Sequence, residues 1–234
     1  MNILMKFLFT AAVLTLVQCE YKPKKSTYGL REEDKAQIIL GAINTVGIEL
    51  TSYGTVKDPK TRLEWKRCSQ GQTFRSATND CQGTAGTVYN PLGNYNVNIP
   101  SVEGGTYGAF ALNYCNYSSN DCNVPSIPQV LRKDPTNKAV SQAFSFCDAD
   151  TTGGLTGWRV PGEPELTFLA SLGRNSVNSV FPNTPEDSYW TSYSDFTDLY
   201  GRTAKSVSFK NVDYGTVTSV AKETKLYVRC VRSY

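Results

Sequence analysis

Seven cysteines in this 234-residue chain limit its fold, because the position of each restricts what its sulfur can reach. Cys19 stands apart from the other six. Lys6 supplies a positive charge ahead of the apolar run Phe7 to Val17, which is too short to span a bilayer as a permanent helix and has the pattern of an export signal. No A-x-A cleavage site follows, but Leu16-Val17-Gln18-Cys19 places a cysteine where the apolar run ends. This resembles a lipobox, with Gln18 in place of the usual small residue, a looser form known from spirochaetal lipoproteins. We therefore expect residues 1–18 to be a lipoprotein signal peptide and Cys19 to be lipidated. The mature chain would then be exported and held by its lipid in the outer membrane, at the cell surface. Six cysteines remain, an even number, as a disulfide framework in an oxidising compartment requires.

The periodicity around those six suggests their partners. Val140, Ala143, Phe144 and Cys147 fall at helical spacing, with Asp134 as the expected cap and Pro135 at the first helical position, so Cys147 faces the core. Leu226, Val228 and Cys230 alternate with Tyr227, Arg229 and Val231, which puts Cys230 on an apolar strand face. Two core-facing cysteines can meet. Leu63 and Trp65 face one way and Arg62, Glu64 and Lys66 the other, so Cys68 falls on the polar side, and its partner is expected in a neighbouring surface loop, with Cys81 nearest. Cys115 and Cys122 lie close together in a loop-like stretch, where a local bridge would remove conformations from the unfolded chain. Among the possible pairings, this geometry favours Cys68 with Cys81, Cys115 with Cys122 and Cys147 with Cys230.

The length suits one principal domain. Residues 19–47 are polar and Lys-rich at first, as in a tether, with a short helix expected over Leu30–Asn44 from Ala36, Ile39, Leu40 and Ile43. Residues 48–234 form the domain. It opens with strands around a turn at Asp58-Pro59 and is interrupted at 82–130 by a Gly-, Asn-, Tyr- and Ser-rich insertion expected to be irregular. A second helix is expected near Glu163, with Pro164 in its first turn and Leu166, Leu169 and Ala170 as its stripe. Phe181-Pro182-Asn183 and Asp213-Tyr214-Gly215 read as turns among the antiparallel strands that follow, and Trp65, Trp158 and Trp190 as core residues. The fold class is α+β: two helices packed on short antiparallel sheets, loop-rich and disulfide-stapled, with both ends of the domain in the sheet.

Several strings resemble one family in the right order. They are Gly54-Thr55-Val56-Lys57-Asp58 with Thr61, Leu63, Trp65 and Arg67-Cys68; Ala143 and Cys147; Gly157-Trp158-Arg159-Val160-Pro161 with Glu165-Leu166; Tyr189-Trp190-Thr191-Ser192; and Val228-Arg229-Cys230-Val231-Arg232. Together they resemble the Lcl C-terminal domain family, named for a collagen-like bacterial adhesin. The resemblance implies a C-type-lectin-like fold, whose hallmark bridge joins the first helix to the final strand. Two positions depart from the family pattern: Gly162 replaces the usual Thr after the proline, a poorer helix cap, and the insertion at 82–130 is long.

The chain has no histidine, which excludes every His-based triad, general base and imidazole metal site. Lectins of this fold bind sugar through calcium at Glu-Pro-Asn or Gln-Pro-Asp with Trp-Asn-Asp; Glu163-Pro164-Glu165 lacks the Asn, and its acids suit a helix start. Asp148-Ala149-Asp150 with Gly153 resembles part of a calcium loop, but Arg159 stands where the bidentate Glu is needed, so a solvated turn is expected. The enzymes of this fold that generate formylglycine use reactive cysteines, and parity leaves none here. We expect no enzyme, no cofactor and no metal.

Binding is the expected function, with extracellular matrix protein or sulfated, acidic glycan as partner and no nucleic acid, since a net charge of +3 is scattered. Tyr107, Tyr114 and Tyr117 in the insertion offer contact area, or else fold onto their own domain. Arg67, Arg159, Arg229 and Arg232 could meet a sulfated glycan, as the family's founding adhesin implies, or pair with local carboxylates. A structural protein that binds another envelope component is the alternative.

Overall fold

Two short runs around a proline turn begin the fold. Thr55–Asp58 (β2) and Leu63–Lys66 (β3) pair antiparallel with Val56 opposite Trp65. The Asp58 carboxylate closes the turn by accepting from the Lys60 backbone N–H and the Thr61 hydroxyl, and Arg62 takes a positive φ of 59° at its exit. Glu49–Leu50 (β1) flanks β2, and the last strand, Val231–Ser233 (β11), flanks β3 with Val231 opposite Trp65, so both ends of the described domain share one antiparallel sheet. This is a computed structural model. It describes residues 47–83, 107–136 and 138–234. The expected signal peptide, Cys19, the 30–44 helix and residues 84–106 of the insertion lie outside them.

Gln72–Arg75 (β4) and Asp80–Gly83 (β5) form a hairpin. Leu112–Asn113 (β6) pairs with Lys225–Leu226 (β10). Ser188–Ser194 (β7), Thr203–Ser208 (β8) and Val217–Ala221 (β9) make a three-stranded antiparallel sheet. Alternation along β7 divides the core. Tyr189 joins Trp65, Leu166, Val177, Phe181 and Val207 in one cluster, while its neighbour Trp190 joins Leu112, Tyr114, Ala143, Trp158 and Val228 in another. Each aromatic buries its polar atom with a partner: Trp190 Nε1 donates to the Leu112 carbonyl at 2.8 Å and the Tyr189 hydroxyl meets Ser69 Oγ at 2.9 Å.

Three helices lie among the described residues, one more than expected. Gln142–Asp148 (α1) begins later than its composition suggests. Asp134 and Pro135 do not start it: the Asp134 carboxylate accepts from the backbone of Thr136, Lys138 and Ala139, ordering a turn, and Ser141 Oγ caps the helix by accepting from Phe144 N at 2.9 Å. Those N–H donors, Ala139 and Thr136 foremost, lower the Asp134 carboxyl to about 2. Val140 therefore precedes the helix and is exposed, while Ala143 and Cys147 face inward as expected. Glu163–Ser171 (α2) starts where the sequence places it, and Glu165 accepts from the Gly162 backbone N–H at 2.6 Å, half of a capping box. It packs on β7 and β8. Arg174–Val180 (α3) is the unexpected helix, its Val177 and Val180 one turn apart in the core.

The bridges are Cys68–Cys81, Cys115–Cys122 and Cys147–Cys230. The surroundings of Cys68 differ from expectation: β3 has no solvent side, and Glu64, Lys66, Cys68 and Cys81 are all buried. Glu64 accepts from Thr55 Oγ1 and pairs with Arg232, and Lys66 pairs with Asp150. The turn after α1 is solvated at Asp148, Ala149, Thr151 and Gly153 as expected, and only the Asp150 side chain turns inward, to Lys66. The insertion needs correction too, since 107–130 supplies β6, Tyr114 and the Cys115–Cys122 bridge to the core.

Candidate contact face of two abutting loops

The seven side chains singled out as ligand contacts do not converge. Arg67 and Arg229 are buried. Arg67 Nε donates to the Val180 carbonyl at 2.8 Å with its guanidinium over Phe74. Arg229 donates to the carbonyls of Lys66 and Arg67 and to Thr184 Oγ1 and lies over Phe181, which ties the approach to β11 onto the exit of β3. Burial first, then the charge of Arg229, lowers the pKa of Arg67, and burial lowers that of Arg229. Planar, weakly hydrated guanidinium tolerates such a site where ammonium would not. Arg159 grips Glu165 with two bonds of 2.7 and 2.6 Å, and Arg232 reaches Glu64 at 3.2 Å. Two of the four arginines are interior, and the other two already hold carboxylates.

Tyr114 is core as well. Its hydroxyl donates to the Ser192 carbonyl at 2.9 Å, its ring meets Trp190 edge-on, and burial pushes its pKa up. Tyr107 is half-buried with a φ of 48°. Of the three tyrosines, only Tyr117 stays exposed, at 52%.

Tyr117 belongs to a different constellation. Residues 116–129 leave the Cys115–Cys122 bridge and turn back through a narrow hairpin, in which Asn123 pairs with Leu131 and Val124 N donates to the Val130 carbonyl. Ile127 stands exposed near its tip. Residues 195–202 connect β7 to β8, and two aspartates order them. Asp195 accepts from Thr197 N, Thr197 Oγ1 and Ser219 Oγ, and Asp198 from the backbone of Tyr200, Arg202 and Thr203. Partial burial alone would raise both carboxyls, but these hydrogen bonds outweigh it and hold both below the ordinary aspartate value.

Lys222 joins the two loops. Its buried Nζ donates to the Ser119 carbonyl at 2.8 Å, Asn120 Oδ1 at 2.9 Å and Asn123 Oδ1 at 2.8 Å. Its backbone N–H donates to the Arg202 carbonyl, and its own carbonyl accepts from Tyr114 N and Cys115 N. The ammonium thus sits on neutral oxygens. Burial lowers its pKa to about 8, with Asp198 and Asp121 opposing from a distance. At Gly201 the loops touch: φ is 64°, and a Cβ there would lie 2.3 Å from Asn120 Nδ2. A second contact runs from Ser194 N to the Gln129 carbonyl at 2.9 Å.

What these pinned loops present is apolar. Phe196, Leu199 and Tyr200 project from one, and Tyr117 and Ile127 from the other, with Leu199 92% exposed. Isolated exposed apolar side chains are ordinary; here five large ones stand on two loops that touch at Gly201 and Asn120. No group of three or more His, Cys, Asp or Glu able to hold a metal lies among the described residues. Sequence reading passed over residues 195–202, although Asp195-Phe-Thr-Asp-Leu-Tyr-Gly201 alternates turn formers with large apolar residues and was the available signal.

Among curated proteins, none matches the chain. A family profile does: that of the Lcl C-terminal domain matches residues 54–232, from the glycine before β2 into β11. That span includes all three bridges and both loops of the contact face, and the chain belongs to the Lcl C-terminal domain family.

Proposed function

We propose that this chain is a bacterial surface lipoprotein, anchored through lipid on Cys19, whose lectin-like domain captures a protein of the extracellular matrix. The observation that carries the reading is the pair of loops pinned by Lys222, with Phe196, Leu199, Tyr200, Tyr117 and Ile127 turned to solvent. Three disulfides suit export to an oxidising compartment. A bridge from the first helix to the segment before the last strand, with both ends of the domain in one sheet, supports the lectin-like fold. A protein ligand is favoured over an acidic glycan because the four candidate arginines are buried or already paired.

The test is an array of matrix proteins and sulfated glycans probed with the purified chain, together with its Leu199→Ser, Tyr200→Ser double variant. We expect capture by a matrix protein that persists in about 1 M salt, where charges are screened beyond about 3 Å, and that weakens at least about tenfold in the variant. Capture only by sulfated glycans, abolished by salt and indifferent to the variant, would overturn the reading. Protease treatment of intact cells tests the cellular face: a surface protein is shaved away, and a structural envelope protein inside the outer membrane survives.

A further inference from the structure

Beside the exit of β3 a cleft opens that shares no residue with the two-loop face. One arm, about 460 Å³, is lined by Lys66, Gln70, Phe110, Phe146, Asp150 and Thr152 among others. The other, about 240 Å³, is walled by Tyr53, Phe74 and Gly153 and shares Lys66, Gln72, Thr73 and Thr152 with the first. These sizes suit a small ligand.

The floor is polar, fixed and electrically balanced. Lys66 Nζ donates to Asp150 Oδ2 at 2.5 Å and to Gln70 Oε1 at 3.3 Å. Gln70 Nε2 donates in turn to Asp150 Oδ2 at 2.8 Å and to the Phe146 carbonyl at 3.1 Å. The Lys66 and Asp150 side chains are 8% and 7% exposed, so the pair is held in place while still lining the opening. An ammonium has three N–H donors, and among the described residues two acceptors are met, which leaves the third for the cleft.

The walls are aromatic. Phe146 is 41% exposed and meets Phe110 edge-on at 5.7 Å. Across the second arm, the Tyr53 ring lies so close to Gly153 that a Cβ there would fall 2.3 Å from it. A ligand for this lining needs apolar faces for the rings and groups that both donate and accept for the floor, and it needs no charge. An anion would meet Asp150 and a cation Lys66, each with its attraction already spent on the other.

We infer that this cleft binds a neutral saccharide, whose C–H faces lie on Phe146 and Tyr53 and whose hydroxyls bond to Asp150, Gln70 and Lys66. The site uses no metal and is independent of the matrix-binding face, so either can fail alone.

The test is saturation-transfer NMR and calorimetry on the purified chain in EDTA. The probes are glucose, galactose, mannose and N-acetylglucosamine with their disaccharides, and glucuronic acid is the charged control. We expect at least one neutral sugar to bind, with affinity reduced at least fivefold in Phe146→Ala or Tyr53→Ala and unchanged in Leu199→Ser. Both ring positions are partly exposed, so the variants should fold, and circular dichroism confirms it. No neutral sugar binding at about 10 mM, binding indifferent to both ring variants, or tighter binding of glucuronic acid than of any neutral probe would each overturn the assignment.

Discussion

Two regions of this domain each rest on one cystine and one buried lysine, yet they divide the work in opposite ways. At the end of α1, Cys147 reaches Cys230 across 83 residues of sequence, and Lys66 pairs with a carboxylate, Asp150. Under the two loops, Cys115 reaches Cys122 across only 7, and Lys222 lies on a carbonyl and two side-chain amides. Where the bridge is long, the covalent bond closes the fold and the ion pair fixes one turn against it. Where it is short, the bridge shapes only the loop, and Lys222, about a hundred residues on, docks that loop to the rest of the protein. A carboxylate there would have given a stronger pair, but neutral oxygens leave the ammonium able to organise several chain segments at once.

The sharpest way to break this comparison is to remove the bridges. In the chain-entropy model, replacing Cys147 and Cys230 together by Ala should cost about 4.5 kcal/mol, and replacing Cys115 and Cys122 about 2.4 kcal/mol. Denaturant melts read both. Equal losses would show that loop length does not rank the two bridges.

The next effect is at Lys66. Lys66→Met leaves the buried Asp150 carboxylate without its cation, and near neutral pH we expect a loss of about 3 kcal/mol. Burial would raise the Asp150 pKa, but the charge of Lys66 and its hydrogen bond overcome that and hold it below the unfolded value. A depressed carboxyl stabilises the fold above its unfolded pKa and loses that contribution as pH falls through the folded one. The difference between wild type and variant should therefore shrink below about pH 4. A gap that stays constant into acid would mean that Lys66 acts through packing and not through charge.

How much of this was legible in the sequence depends on whether a side chain's partner is near in sequence or distant. Cys147 could be placed because helical periodicity reports the inward face directly, whereas Cys230 lies in an irregular stretch between β10 and β11 where Tyr227, Val228, Arg229 and Val231 are all buried with it, so the expected alternation of faces is absent. Glu64 and Lys66 could not be placed, since alternation with Leu63 and Trp65 looked like a solvent face until Arg232 and Asp150 arrived from far along the chain to cover it. Asp134-Pro135 has the composition of a helix start, and the same capping chemistry is used about two turns early, on loop N–H groups. Lys222, in Ala-Lys-Glu-Thr-Lys, looks like part of a charged surface turn; only the fold shows three oxygens waiting for it. Arg67 and Arg229 were misjudged because charge normally marks exposure.

Lys222→Met sharpens the comparison on the other side. It frees three buried oxygens while relieving a buried charge, and we expect a net loss of about 2 kcal/mol. Hydrogen exchange should accelerate at residues 119–123 more than across β7 and β8. Titration gives a second reading. The folded pKa of about 8 lies below the ordinary lysine value of 10.5, so between the two the unfolded chain binds a proton that the folded one lacks, and stability rises with pH. Relative to Lys222→Met, the wild type should gain about 2 kcal/mol from pH 8 to 10. Tyr189, Tyr214 and Tyr227, pushed up to about 12 by burial, act only above that window and in both proteins. No difference in slope would mean that the ammonium keeps its ordinary pKa in its cage.

The smallest effect is expected at the tip of the same loops. Leu199 is 92% exposed, so Leu199→Ser removes almost no buried area, and its stability should stay within about 0.5 kcal/mol of wild type. Lys222 and Leu199 would then separate the two properties of one face: the first governs whether the loops are held, the second what they present. A thermal melt of Leu199→Ser decides between a presented side chain and a supporting one. A loss above about 1 kcal/mol would mean that Leu199 packs against its own domain in solution, and the apolar surface of residues 195–202 would then belong to the fold and not to a partner.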